Sequence, residues 1–232
     1  MDPIRIKFTT NDGVEIVGHY CAQFDRKKED KKDIPSVLFL HMMPATKESW
    51  KDFAKKLHHA GFETFAIDMR GHGESGGGPD GYKTFTDIQH QASIYDIGGA
   101  MQFLEDRGVN LSNIILVGAS IGANLALQFT AEYPEIKTAI LLSPGLNYRG
   151  VETEKYAKLI KPDQNIFLVA GGANDSYSTE TAFKLHKIIK SKNKEIKTFQ
   201  NAGHGTTIFS EEPSFMDELA LWLAKLFPVK NR

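Results

Sequence analysis

The sequence predicts an α/β fold, a parallel sheet covered by helices on both faces, and two observations carry that prediction. Short apolar runs alternate with helical patterns along the chain, as expected when crossover helices link parallel strands. The second is the stretch IILVGASIGANLAL, residues 114–127. Its first four residues form an uninterrupted apolar run suited to a strand buried on both faces. Ile121, Leu125 and Phe129 then recur at four-residue spacing, as one face of a helix does. Ser120 therefore falls on a sharp strand-to-helix turn between Gly118 and Gly122, held out where a reacting group would be open to a substrate. The first N–H groups of the following helix lack intrahelical partners and carry partial positive charge.

The elements follow in order. Residues 4–9 alternate as IRIKFT, Asn11-Asp12-Gly13 is a turn, and 14–20 resumes as the second strand of a hairpin. The mixed-charge run 25–33, DRKKEDKKD, reads as a solvated surface loop. Residues 36–40, SVLFL, form a buried strand ending at His41-Met42-Met43-Pro44. A helix from Thr46 or Lys47 to His59 turns Trp50, Phe53 and Leu57 to the core, and Gly61 ends it. Strand 62–67 runs into the glycine-rich loop DMRGHGESGGGP. That loop lacks the lysine and the spacing of a phosphate cradle. Thr86 or Asp87 caps a helix to about Asp106, with Ile94, Ile97, Met101 and Leu104 inward. Gly98 and Gly99 inside it cost about 1 kcal/mol each, which close packing on the sheet would explain. Beyond 127 come strand 137–142 ending at Ser143-Pro144-Gly145, a helical piece over 152–160, strand 166–170, helix 179–190, strand 195–200 and helix 215–227. The connection 143–165 holds little beyond a crossover, so no substantial lid is expected.

Composition narrows the function classes. The chain has 232 residues, 41% hydrophobic and 25% charged, enough for a full core in a single domain over 1–232. The net charge of −1 offers no basic excess to neutralise phosphates, so nucleic acid is excluded as the expected partner. Cys21 is the only cysteine, which excludes an intramolecular disulfide and a thiolate zinc site. No H-E-x-x-H or comparable cluster suggests a metal. No leader pattern opens the chain, and no apolar run reaches the roughly 20 residues that cross a bilayer. The expectation is a soluble cytoplasmic protein without membrane partners.

Chemistry in open α/β sheets gathers at the carboxyl ends of strands. Four strands end in reactive or polar residues: at His41-Met42-Met43, at Ser120, at Asp175 and at His204. The last three stand in glycine-rich turns and in the chain order serine, acid, histidine. These motifs resemble those of the α/β-hydrolase superfamily over nearly the whole chain. DMRGHGES is similar to the family's D-x-R-G-x-G-x-S loop, GASIG to its nucleophile elbow, Gly203-His204-Gly205 to its histidine loop and Asn174-Asp175 to its acid loop. The small lidless esterases and dienelactone-hydrolase-like members are the most similar, although the latter use a cysteine where this chain has Ser120.

The resemblance implies an eight-stranded, mostly parallel sheet with one antiparallel strand near the start. It also implies a serine hydrolase that cleaves carboxylic esters of small acyl substrates through an acyl-enzyme, with no cofactor. Ser120 is a poor nucleophile alone and needs a base, His204, which Asp175 would orient. The backbone N–H groups of Ile121 and Met43 would hold the oxyanion. The family's usual His-Gly at that loop is His41-Met42 here. His41, Met42, Tyr82, Tyr148 and Tyr177 are the expected substrate-binding residues. Thioesterase, lactonase and acyl-peptide hydrolase share the triad chemistry. A non-catalytic binding protein of the same fold is the other alternative, with Met42 as its one hint. Among rivals, Asp163 precedes its strand, Asp68 and His72 belong to the glycine-rich loop, and His58 and His59 lie on a helix.

Overall fold

The Asn11-Asp12-Gly13 turn opens the sheet, with the Thr10 hydroxyl donating to Asp12 at 2.6 Å and Gly13 in the left-handed region at φ +86°. In the computed structural model, which describes residues 2–23 and 33–228, this turn joins β1 (Ile4–Thr9) to β2 (Glu15–Cys21) in antiparallel register. The charged run 25–33 lies outside the described residues apart from Asp33. Then follow β3 (Ser36–Leu40), a 3₁₀ turn at Lys47–Trp50 leading into α1 (Lys51–His59), and β4 (Glu63–Asp68). Next are α2 (Asp87–Gln91), α3 (Ile94–Glu105), β5 (Ile114–Ala119), α4 (Ile121–Glu132) and β6 (Thr138–Leu142). A small hairpin of β7 (Asn147–Tyr148) and β8 (Val151–Glu152) precedes α5 (Glu154–Ala157). The chain continues through β9 (Asn165–Ala170), α6 (Ser176–Ile188), β10 (Asn193–Thr198), α7 (Ile208–Glu211) and α8 (Phe215–Leu226).

Eight strands form one sheet in the order β1-β2-β4-β3-β5-β6-β9-β10. Only the β1–β2 and β2–β4 pairs are antiparallel, so β2 is the one reversed strand and the expected topology stands. Every residue of β3, β4, β5, β6 and β9 is buried, as continuous apolar runs require. Alternate side chains divide between two cores. Leu38, Leu40, Leu116 and Leu168 join residues of α3, α4 and α6, while Val37, Phe39, Val117 and Val169 join residues of α1 and α8. Trp50 stacks on Phe39 at 5.1 Å, and burial of each such ring contributes about 2–3 kcal/mol.

Two expected elements differ. The helix expected from Thr86 to about Asp106 is two helices. Thr86 caps the first with a reciprocal box to Gln89, but Ser93, Tyr95 and Asp96 close tighter turns onto the third residue before each, breaking the run. This brings the buried Asp96 carboxylate onto Arg70, at 2.8 Å from Nε, a tertiary constraint that periodicity does not encode. The helical piece expected over 152–160 is only the four-residue α5, because 147–152 form a hairpin. Its turn residues, Arg149 at φ +53° and Gly150 at φ +79°, are both left-handed. Such turns favour Asn-Gly, so Arg-Gly gave weak sequence notice. Gly99 does pack closely: a Cβ there would meet the Phe8 ring at 2.5 Å, whereas one on Gly98 would meet open space. Among the described residues no helix is long and apolar enough to cross a membrane.

Candidate active site

The strand-turn-helix over 114–132 forces Ser120 into an uncommon backbone, φ 54° and ψ −121°. Two close approaches hold it there. A Cβ on Gly118 would lie 2.1 Å from the Gly122 carbonyl oxygen, and one on Gly122 would lie 2.4 Å from that of Leu40. The pentapeptide needs its glycines because α4 crosses its own strand and the end of β3 at backbone contact. Ile121 opens α4, so its N–H has no intrahelical acceptor. Leu40 pairs with Gly118, so Met42 and Met43 leave the sheet beside the elbow.

Asp175 and His204 meet from the ends of β9 and β10. His204 Nδ1 lies 2.7 Å from Asp175 Oδ1. A carboxylate only accepts, so Nδ1 donates and the neutral ring keeps its Nε2 lone pair for another partner. The Asp175 side chain is 4% exposed and that of His204 37%, so the carboxylate is sealed and the imidazole open. Burial pushes the Asp175 carboxyl up, but hydrogen bonds from His204, Ser143 and Gly171 outweigh it and leave it below the usual carboxylate range. Ser120 is 8% exposed. The Tyr148 hydroxyl lies 3.0 Å from Ser178 Oγ, and its ring stands edge-on to His204 at 6.2 Å. A Cβ on Gly205 would sit 3.4 Å from the Ala119 methyl, which brings the histidine loop to the elbow.

The remaining expected residues divide. His41 is fully buried, and its place among the substrate-binding residues is corrected. Its Nε2 accepts from the Met69 N–H at 2.9 Å and its Nδ1 donates to the Met42 carbonyl at 2.9 Å, leaving nothing for a ligand. Burial, then the nearby His72, pushes its pKa down to about 3, so it stays neutral. Met42 supports the histidine loop, its sulfur 3.9 Å from Thr206 Oγ1. Tyr82 stacks on His72 at 4.4 Å within the glycine-rich loop. Tyr177 is half exposed and packs on Tyr148 at 5.8 Å. A cavity of about 450 Å³ lined by His19, Cys21, Trp50 and Lys55 lies beside α1 and contains none of the residues above.

Two buried polar residues escaped the sequence reading. Asn124 on α4 donates to the Val151 carbonyl at 2.7 Å and accepts from the Gly145 N–H at 3.0 Å, fastening the Tyr148 hairpin to the elbow helix. Ser143, at the end of β6 with φ 51°, hydrogen-bonds both Asp175 and Gly205. The rule that pointed to Ser120, Asp175 and His204, polar residues at strand ends, also covers Ser143. Asn124 gave no such signal, because an amide inside a helix reads as a surface residue.

The model of the alpha/beta hydrolase fold family matches residues 35–207. A bifunctional esterase/perhydrolase from Acinetobacter calcoaceticus is 29% identical over 137 residues, 58% of this chain and 43% of that protein. A monoacylglycerol lipase from Xenopus laevis is 32% identical over 154 residues, 60% of this chain and 41% of that one. The match thus spans less than half the length of these relatives. In three dimensions a Pyrococcus furiosus esterase superposes with a TM-score of 0.76 over 97% of this chain and 91% of its own, at 20% identity, a likeness of fold.

Proposed function

The chain belongs to the alpha/beta hydrolase fold family, and from that premise we propose that it is a serine hydrolase acting on carboxylic esters of small acyl groups. The observation that carries the reading is the 2.7 Å Asp175–His204 pair, with the imidazole's other nitrogen available and the adjoining Gly205 turn close to Ala119, the residue before Ser120. In this reading His204 Nε2 takes the Ser120 proton as Oγ attacks the acyl carbon. The N–H groups of Ile121 and Met43 hold the oxyanion. The imidazolium then protonates the departing alcohol, and a water, activated the same way, releases the acid. Asp175 orients the ring and stabilises its charged form. The substrate is a small acyl ester, no cofactor enters a step, and the setting is cytoplasmic, with no helix long and apolar enough to cross a membrane among the described residues.

The connection from β6 to β9 holds a small hairpin and one four-residue helix, which supports an open site. Each methylene left in water forgoes about 0.8 kcal/mol of burial, so affinity stops growing after a few carbons. The test is kcat/KM for nitrophenyl esters from acetate to palmitate, below and above micelle formation. The expected maximum is at short chains with no jump at micelles. A maximum at palmitate, or no turnover of any ester, would overturn the reading.

A further inference from the structure

Ser143 is fully buried at the carboxyl end of β6, the strand between those that lead to Ser120 and Asp175. Its backbone, at φ 51°, is one a serine rarely adopts, and it turns the hydroxyl sideways between two loops. The hydroxyl donates to Asp175 Oδ2 at 2.6 Å, and its oxygen accepts from the Gly205 N–H at 2.8 Å. The order of donors is fixed. An N–H can only donate and a carboxylate can only accept, so the Ser143 proton points at Asp175. The remaining contact to Oδ2 is the Gly171 N–H at 3.1 Å, while Oδ1 accepts from His204. The hydroxyl therefore joins the Gly171 N–H in holding the carboxylate and, through Gly205, holds the residue next to the histidine.

We infer that Ser143 is a positioning residue for the triad, a clasp that sets the Asp175 carboxylate and the His204 loop in one register. This rests on the proposed serine-hydrolase reading and adds a residue to it. Both hydrogen bonds of the Ser143 hydroxyl go to Asp175 and Gly205 and neither to Ser120. Its effect passes through Asp175 and Gly205, so it belongs to the turnover step and not to substrate affinity. Misplacing the ring by a fraction of an ångström disturbs proton transfer while leaving the pocket walls in place.

The experiment compares Ser143→Ala with Ser143→Gly. Both remove the hydroxyl, but glycine adopts the left-handed backbone without strain and alanine does not. On a short nitrophenyl ester both variants are expected to lose about tenfold or more in kcat at unchanged KM, by analogy with loss of a group that orients a catalytic histidine. Glycine is not expected to restore the rate. If Ser143→Gly turns over at the wild-type rate, the residue serves only the backbone and the inference is overturned. A rise in KM with kcat unchanged would also overturn it, placing Ser143 in binding. Ser120→Ala is run beside them. Turnover that survives Ser120→Ala overturns the serine-hydrolase reading itself, whereas Ser120-dependent turnover with a fully active Ser143→Gly overturns the clasp alone.

Discussion

The loop after β4 and the loops after β5, β9 and β10 leave the same end of one sheet, yet they use polar residues in opposite ways. After β4 the buried charges are matched in pairs, although the His72 Nε2 in the same loop is buried without a partner. Asp68, fully buried, accepts from Lys47 Nζ at 2.7 Å and from the backbone N–H groups of Lys47 and Glu74. Arg70 is held between Asp96 and Asp12, its guanidinium 2.6 Å from Asp12 Oδ2. Burial pulls the Arg70 pKa down, but those two carboxylates outweigh it and raise it. Gly73 is needed here, since a Cβ would lie 2.1 Å from Asp68 Oδ2. At the other loops the chain of hydrogen bonds runs Ser143, Asp175 and ends at His204, whose side chain is 37% exposed. A closed network fixes a loop, whereas a network with one unmet terminus can move a proton.

Breaking each network should therefore give opposite results. Asp175→Asn should cost roughly a thousandfold or more in kcat, because the amide orients the wrong imidazole tautomer, with the fold retained. Lys47→Met should remove about 4 kcal/mol of stability by leaving the Asp68 carboxylate buried without its cation. At this chain length that lowers Tm by roughly 10 °C. The kcat of the folded fraction at low temperature should be unchanged. Thermal melts and rates on both variants check the contrast, and a Lys47→Met protein that is stable but inactive would erase it.

The smaller effect concerns pH. Asp175 sits below the usual carboxylate range, so it stays ionised from pH 5 upward, and the stability its hydrogen bonds contribute is full there. That contribution is lost only as pH falls from the unfolded carboxylate value, about 3.9, through the lower folded one. Above pH 5 the Asp175 carboxyl therefore adds no ionisation step of its own to the rate. A plot of log kcat/KM against pH should show at most unit slope there, and a slope of two would mean that Asp175 also titrates.

The sequence disclosed what local patterns encode. Continuous apolar runs marked the five buried strands, and the glycines flanking Ser120 marked a turn tight enough to require them at both positions. The same patterns could not show contacts made across the fold. Ser143 was visible as a residue at a strand end, but nothing local says that its hydroxyl meets Asp175, 32 positions away. His41 stood at the right strand end for a ligand, and only the fold shows Met69 and Met42 occupying both its nitrogens. The break between α2 and α3 goes with the Arg70–Asp96 contact made across the fold, which helical periodicity does not encode.

The central claim is that Ser120 is the nucleophile activated by His204. The direct measurement is intact-mass and peptide mapping after reaction with a fluorophosphonate, on the wild-type protein and on Ser120→Ala. The account predicts one adduct per chain, located on Ser120, formed in step with loss of esterase activity and absent from the variant. An unlabelled Ser120 in a protein that hydrolyses esters, or an adduct and turnover that persist in Ser120→Ala, would contradict it.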